Sequence, residues 1–141
     1  MMSNSKKIQN EIVEIIESLV SFKTTPSNFP EFEKAVKYIE EYFDGSSIKI
    51  DKHYFNKYPA LFISTTGKKE ASIMMQAHVD VVDGNEDQFT PITKNGKMYG
   101  RGTSDMKAFV AIAMKTLKEF SDHPSHCNLA LALTFDEEIG S

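Results

Sequence analysis

The stretch Asn128-Leu129-Ala130-Leu131-Ala132-Leu133-Thr134-Phe135, followed at once by Asp136-Glu137-Glu138, decides the fold. A short apolar run bounded by polar residues reads as a strand buried on both faces, the kind found in the middle of a sheet. Ser72 to Ala77 is a second such run, and it leads directly into His78-Val79-Asp80. Between the two, a helical pattern extends from about Ser104 to Phe120. Further upstream, Ile8, Ile12, Ile15, Ile16 and Leu19 recur at helical spacing between about Lys6 and Phe22, with Glu11, Glu14 and Glu17 opposite. Thr24-Thr25-Pro26-Ser27-Asn28 breaks that helix, and Pro30 suits the first turn of the next. Phe32, Ala35, Val36, Ile39 and Phe43 form its apolar stripe, and Asp44-Gly45 stops it.

Ser47 to Phe55 then alternates, and Ala60 to Thr65 follows after the short connection Asn56 to Pro59, which predicts an antiparallel pair. Asp83 to Asn95 reads as a polar loop and Lys97 to Tyr99 as a brief extended piece. Helix, helix, strands, helix, strand implies an α/β domain whose mixed, twisted sheet is flanked by helices. The last strand ends at Asp136-Glu137-Glu138 and the sequence stops three residues later, with no helix to cover that strand, so the domain is expected to be incomplete at its C-terminus.

Composition narrows the chemistry. The chain has 141 residues, the size of one domain, and 40% of them are hydrophobic, enough to build a core. A formal charge of −4 without a basic cluster argues against nucleic acid and against an anionic membrane surface. One cysteine, Cys127, cannot form an intrachain disulfide, and no apolar run approaches the ~20 residues that span a bilayer. A cytoplasmic protein is the expectation.

Three clusters carry reactive side chains. In extended chain His78 and Asp80 face the same way, and a carboxylate can hold one imidazole nitrogen while leaving the other for a metal. Taken alone, the pair reads more readily as a surface or capping arrangement. Gly100-Arg101-Gly102-Thr103-Ser104-Asp105 precedes a helix, but Asp105 occupies the third glycine position of a dinucleotide fingerprint and would repel a pyrophosphate. Taken alone, Asp105 reads as an acidic first-turn residue complementing the helix dipole. Asp136-Glu137-Glu138 sits at the C-terminal end of a strand, where open α/β sheets bind ligands. If the two buried strands run parallel, Asp80, Asp105, Glu137 and Glu138 meet on one sheet edge and repel unless cations lie among them. Histidine with carboxylates suits zinc, and cobalt or manganese also fits.

The run Gln76-Ala77-His78-Val79-Asp80-Val81-Val82, then Gly100-Arg101-Gly102-Thr103-Ser104-Asp105-Met106-Lys107, then Asp136-Glu137-Glu138 resembles the dizinc hydrolases that include acetylornithine deacetylase, succinyl-diaminopimelate desuccinylase, carboxypeptidase G and the aminoacylases. The resemblance implies His78, Asp105 and Glu138 as metal ligands, with Asp105 bridging two zinc ions. It implies Asp80 as the clamp on His78 and Glu137 as general base and acid toward an amide carbonyl. It also implies a cis peptide at Asp105-Met106, a small N-acyl amino acid or peptide as substrate, and a homodimer formed through an inserted domain.

Asp83 and Ala108 depart from the family's usual Pro and Gly, at positions away from the expected ligands. A later acidic ligand, a C-terminal histidine and the lid or dimerisation domain have no counterpart in residues 1–141, which are therefore expected to be the N-terminal part of a catalytic domain with little turnover alone. His123 and His126 precede the last strand, whose ~8 residues at ~3.3 Å put them roughly 25 Å from its catalytic end. His53, mid-strand beside Lys52, reads as surface. The competing expectation is a non-catalytic α/β module that holds a metal or ligand at the acidic edge. Completing the chain separates the two, because only an enzyme fragment gains activity.

Overall fold

The computed structural model describes residues 4–26, 28–122 and 127–140; His123 and His126 lie outside the described residues. Two amphipathic helices come first, α1 (Asn4–Ser21) and α2 (Phe29–Phe43). On α1 the expected stripe buries Ile15 and Leu19 fully and Ile12 and Ile16 in part, with Val20 joining them; on α2 the expected stripe Phe32, Ala35, Val36, Ile39 and Phe43 is the face it buries. Pro30 occupies the first turn of α2, where its missing N–H costs no helical hydrogen bond. The left-handed Gly45 (φ 72°) follows the end of α2.

Strands β1 (Lys49–Phe55) and β2 (Tyr58–Ser64) form the expected antiparallel hairpin. Asn56 and Lys57, both at positive φ, make its two-residue turn. β3 (Ile73–His78) and β6 (Leu129–Thr134) complete a four-stranded sheet in the order β1-β2-β6-β3. β6 pairs antiparallel with β2 and parallel with β3, so the sheet is mixed. Helix α3 (Lys107–Asp122) connects β3 to β6 across the sheet. Residues Leu61, Ile63, Ala77, Leu131 and Leu133 share one core cluster with buried residues of all three helices.

Two expectations need correction. β6 is central and buried, but β3 is the edge strand of the described sheet, and Ile73 and Met74 are more than half exposed. The polar stretch 83–95 is also not all loop. It holds a 3-10 turn (Glu86–Phe89) and β4 (Ile92–Lys94), which pairs with β5 (Lys97–Tyr99). The signal was present in Asn95-Gly96, whose positive φ values (52° and 72°) make a two-residue hairpin turn.

Two of the helices are also tied by charge. Lys115 on α3 is 8% exposed, and its Nζ donates to Glu11 Oε2 of α1 at 2.7 Å and pairs with Glu119 Oε1 at 2.6 Å. Because both carboxylates are partly solvated, Lys115→Met is expected to cost only about 1 kcal/mol in chemical denaturation. Burial lowers the pKa of this ammonium, but its hydrogen bonds to Glu11 and Glu119 outweigh that and raise it overall. The contribution is therefore complete below the ordinary lysine range and is lost as pH rises through the raised value.

Candidate metal centre

Parallel pairing brings the clusters together. His78 and Thr134 are the last partners of β3 and β6, and the Val79 amide adds one more bond to the Thr134 carbonyl at 2.9 Å. Both chains therefore leave the sheet at the same carboxyl edge. One continues into Asp80; the other enters a 3-10 turn, Glu137–Ile139, closed by Gly140 at φ 80°. Asp105 arrives from the turn before α3. That helix starts at Lys107, three residues later than its pattern predicts, so Asp105 is not a first-turn residue. The Asp105-Met106 peptide is cis, as the resemblance implies.

His78 is 7% exposed, and its Nδ1 lies 3.0 Å from the Asp80 carbonyl oxygen. A carbonyl only accepts, so this contact assigns the proton to Nδ1 and leaves the Nε2 lone pair free. Nε2 stands 3.5 Å from Asp105 Oδ1 and 3.8 Å from Glu137 Oε2. His78, Glu137 and Glu138 each offer a ligand atom within 4.8 Å of the others; Asp105 approaches His78 from outside that trio.

Asp80, 2% exposed, links the two strand ends. Its Oδ2 accepts the Glu138 amide at 2.8 Å, and its Oδ1 faces His78 Nδ1 at 3.4 Å. Burial pushes the Asp80 carboxyl above the usual carboxylate range, against the Glu138 amide and the His78 imidazole, which favour the ionised form. Oδ1 is buried without a hydrogen-bond partner. That orphan fits a cation on the far side of the ring, which would make Nδ1–H a stronger donor toward it. One nitrogen and several carboxylate oxygens form a donor set suited to zinc, cobalt or manganese. A pocket of about 260 Å³, lined by Gln76, Ala77, His78, Met106, Thr134 and Glu137, opens beside it.

All five residues singled out in the sequence thus meet at one edge. His53 is exposed on β1, at the opposite side of the sheet, and Cys127 is half-buried. The sequence reading missed Thr24 and Lys107, both buried behind the site. For Lys107 a signal existed: a basic residue opening a helix opposes that helix's dipole and calls for another partner. Burial pushes its ammonium down to about 7, opposed by the charges of Glu31 and Asp80. Thr24 carried no such signal, because its partners are backbone groups far along the chain.

Residues 74–141 match the model of Peptidase family M20/M25/M40. The succinyl-diaminopimelate desuccinylase of Sulfurovum sp. (strain NBC37-1) is 32% identical over 133 residues, covering 90% of this chain and 34% of that protein. Human carnosine dipeptidase 1 superposes with a TM-score of 0.81 at 15% identity, over 96% of this chain and 34% of its own. The M20 family metallo-carboxypeptidase Sso-CP2 from Sulfolobus solfataricus gives 0.73 at 18% identity, over 93% and 32%. The chain spans about a third of the length of the curated relatives it matches. Among the described residues no helix is long and apolar enough to cross a membrane. The segment that carries His78, Asp105 and the paired glutamates is thus similar in sequence to peptidase family M20/M25/M40, and the chain shares the fold of these metallopeptidase structures over nearly all of its length.

Proposed function

We propose that this chain is the N-terminal part of the catalytic domain of a zinc-dependent amidohydrolase, which cleaves the amide bond of a small N-acyl amino acid or a terminal peptide bond. The observation that carries the reading is the convergence of His78 Nε2 on Asp105 and Glu137 at the carboxyl ends of two parallel strands. His78, Asp105 and Glu138 are the ligands this chain contributes to a two-metal site, with Co²⁺ or Mn²⁺ as substitutes for Zn²⁺. Bound there, the metal supplies a water of lowered pKa and polarises the substrate carbonyl.

The remaining work belongs to side chains. Glu137, exposed at the rim of the pocket, accepts the proton of the attacking water and delivers it to the leaving amine. The Asp80 backbone carbonyl keeps the proton on His78 Nδ1 and the Asp80 carboxylate holds the Glu138 amide, so one residue orients groups from both strands. The lid or dimerisation domain and the rest of the ligand set lie in other parts of the complete enzyme, which we place in the cytoplasm as a homodimer.

Zinc stoichiometry and affinity of the purified chain, measured beside Asp105→Ala, test the reading. Zinc bound by the unaltered chain should be lost or sharply weakened in the variant. Equal binding by both, or none by either even after the chain is completed to its relatives' length, would remove Asp105 from the site. A related expectation concerns Asp80→Ala, which removes an orienting group and not a ligand; zinc affinity should fall about 10–100-fold, as isothermal titration can read.

A further inference from the structure

The connection between α1 and α2 meets the candidate site from behind, at two of the loops that build it. Thr24 Oγ1 donates to the Val79 carbonyl at 2.7 Å, and the Thr24 carbonyl accepts the Val81 amide at 2.9 Å. Val79 and Val81 flank Asp80, so Thr24 grips the chain on both sides of that carboxylate. Lys107, two residues after Asp105, is fully buried. Its Nζ donates to the carbonyls of Leu19 at 2.7 Å and Phe22 at 2.8 Å. An ammonium there complements the C-terminal end of the α1 dipole, although it opens a helix of its own.

The two grips meet at Gly102. A Cβ on Gly102 would lie 2.8 Å from Lys107 Cδ and 2.9 Å from Val81 Cγ1, so glycine lets the Asp105 turn close onto both. Packing alone does not call for lysine here, since an apolar side chain of similar volume often serves a buried position as well or better. A buried hydroxyl and a buried ammonium, both spent on backbone carbonyls, fix where these loops sit.

We infer that residues 19–25 form a positioning strap for the metal centre, with Thr24 and Lys107 as its positioning residues. Thr24 fixes the His78-Asp80 strand end and Lys107 fixes the Asp105 turn, both against the same end of α1. The spacing between His78 and Asp105 is thereby set by one rigid piece of the fold. What is positioned rests on the metallohydrolase reading; the grips themselves do not.

Co²⁺ titration of the chain, followed by visible absorption alongside metal-free thermal melting, provides the test. Thr24→Val and Lys107→Met should each weaken Co²⁺ binding about 10–100-fold and alter the d–d bands, whereas Thr24→Ser, which keeps the hydroxyl, should stay within about twofold. Folded Thr24→Val protein with the affinity and spectrum of the unaltered chain would overturn the inference. Because the two threonine variants decide the matter between them, a Lys107→Met protein that fails to fold leaves the test intact. If the unaltered chain gives no Co²⁺ spectrum, amide exchange of the metal-free protein judges the strap instead, and the metal reading is judged separately on the completed chain. Thr24→Val should then speed exchange at Val81 and Glu138 about tenfold more than at Leu131, and uniform acceleration would overturn it.

Discussion

In a chain completed to the length of its curated relatives, Glu137→Gln is expected to lower amide hydrolysis about 10²–10⁴-fold while metal content stays unchanged. Glutamine keeps the size and planarity of the side chain but cannot shuttle a proton at neutral pH. The turn that carries it should survive, because its hydrogen bonds use backbone groups: Gly140 N–H donates to the Glu137 carbonyl at 3.0 Å, and Glu138 N–H donates to Asp80. Turnover of an N-acyl amino acid and zinc content, measured on the same preparation, check the division of labour between the glutamates. A fall below tenfold would move the base elsewhere, with Glu138 next in line. Lost metal would instead make Glu137 a ligand, a role its place in the trio with His78 and Glu138 also allows.

Phe32→Ala carries the largest expected stability loss, about 3–5 kcal/mol, read from denaturant unfolding. The ring is fully buried on α2, and its centroid lies 5.9 Å from Phe29, 5.8 Å from Tyr58 and 5.6 Å from Phe135. Those partners come from α2 itself, from β2 and from the residue after β6, so truncation opens a cavity at the junction of helix and sheet. Phe135 immediately precedes Asp136-Glu137-Glu138, and the cavity would therefore lie beneath the glutamate turn. Phe32→Leu, which refills much of the space, should cost distinctly less. A loss below about 1 kcal/mol for the alanine variant would mean that the aromatic cluster does not bear on stability as its burial implies.

Much of this architecture is legible in local patterns. The helices α1 and α2 follow from apolar residues at helical spacing, and β6 follows from its unbroken apolar run. β3 shows the limit of such reading. Its apolar composition marks a strand but cannot say how many neighbours it has, and here Ile73 and Met74 lie exposed at a sheet edge. Ser104 and Asp105 have the chemistry of a helix start, which predicts α3 three residues before its true beginning at Lys107. The Asn95-Gly96 turn signal is weak in sequence because its flanking strands are only three residues long and fully or largely exposed.

The sequence by itself determined the order of the elements and the reactive side chains at their ends: His78 and Asp80, Asp105, and Glu137 with Glu138. Those are local properties, written in period and residue type. Only the tertiary structure decided that β3 and β6 pair in parallel with His78 opposite Thr134, which brings an imidazole within 3.8 Å of a glutamate 59 positions along the chain (137 − 78). It also decided that Asp80 serves both strands and that Thr24 and Lys107 stand behind the site. Register and burial come from the joint packing of three helices on one sheet, a free energy that no single segment contains.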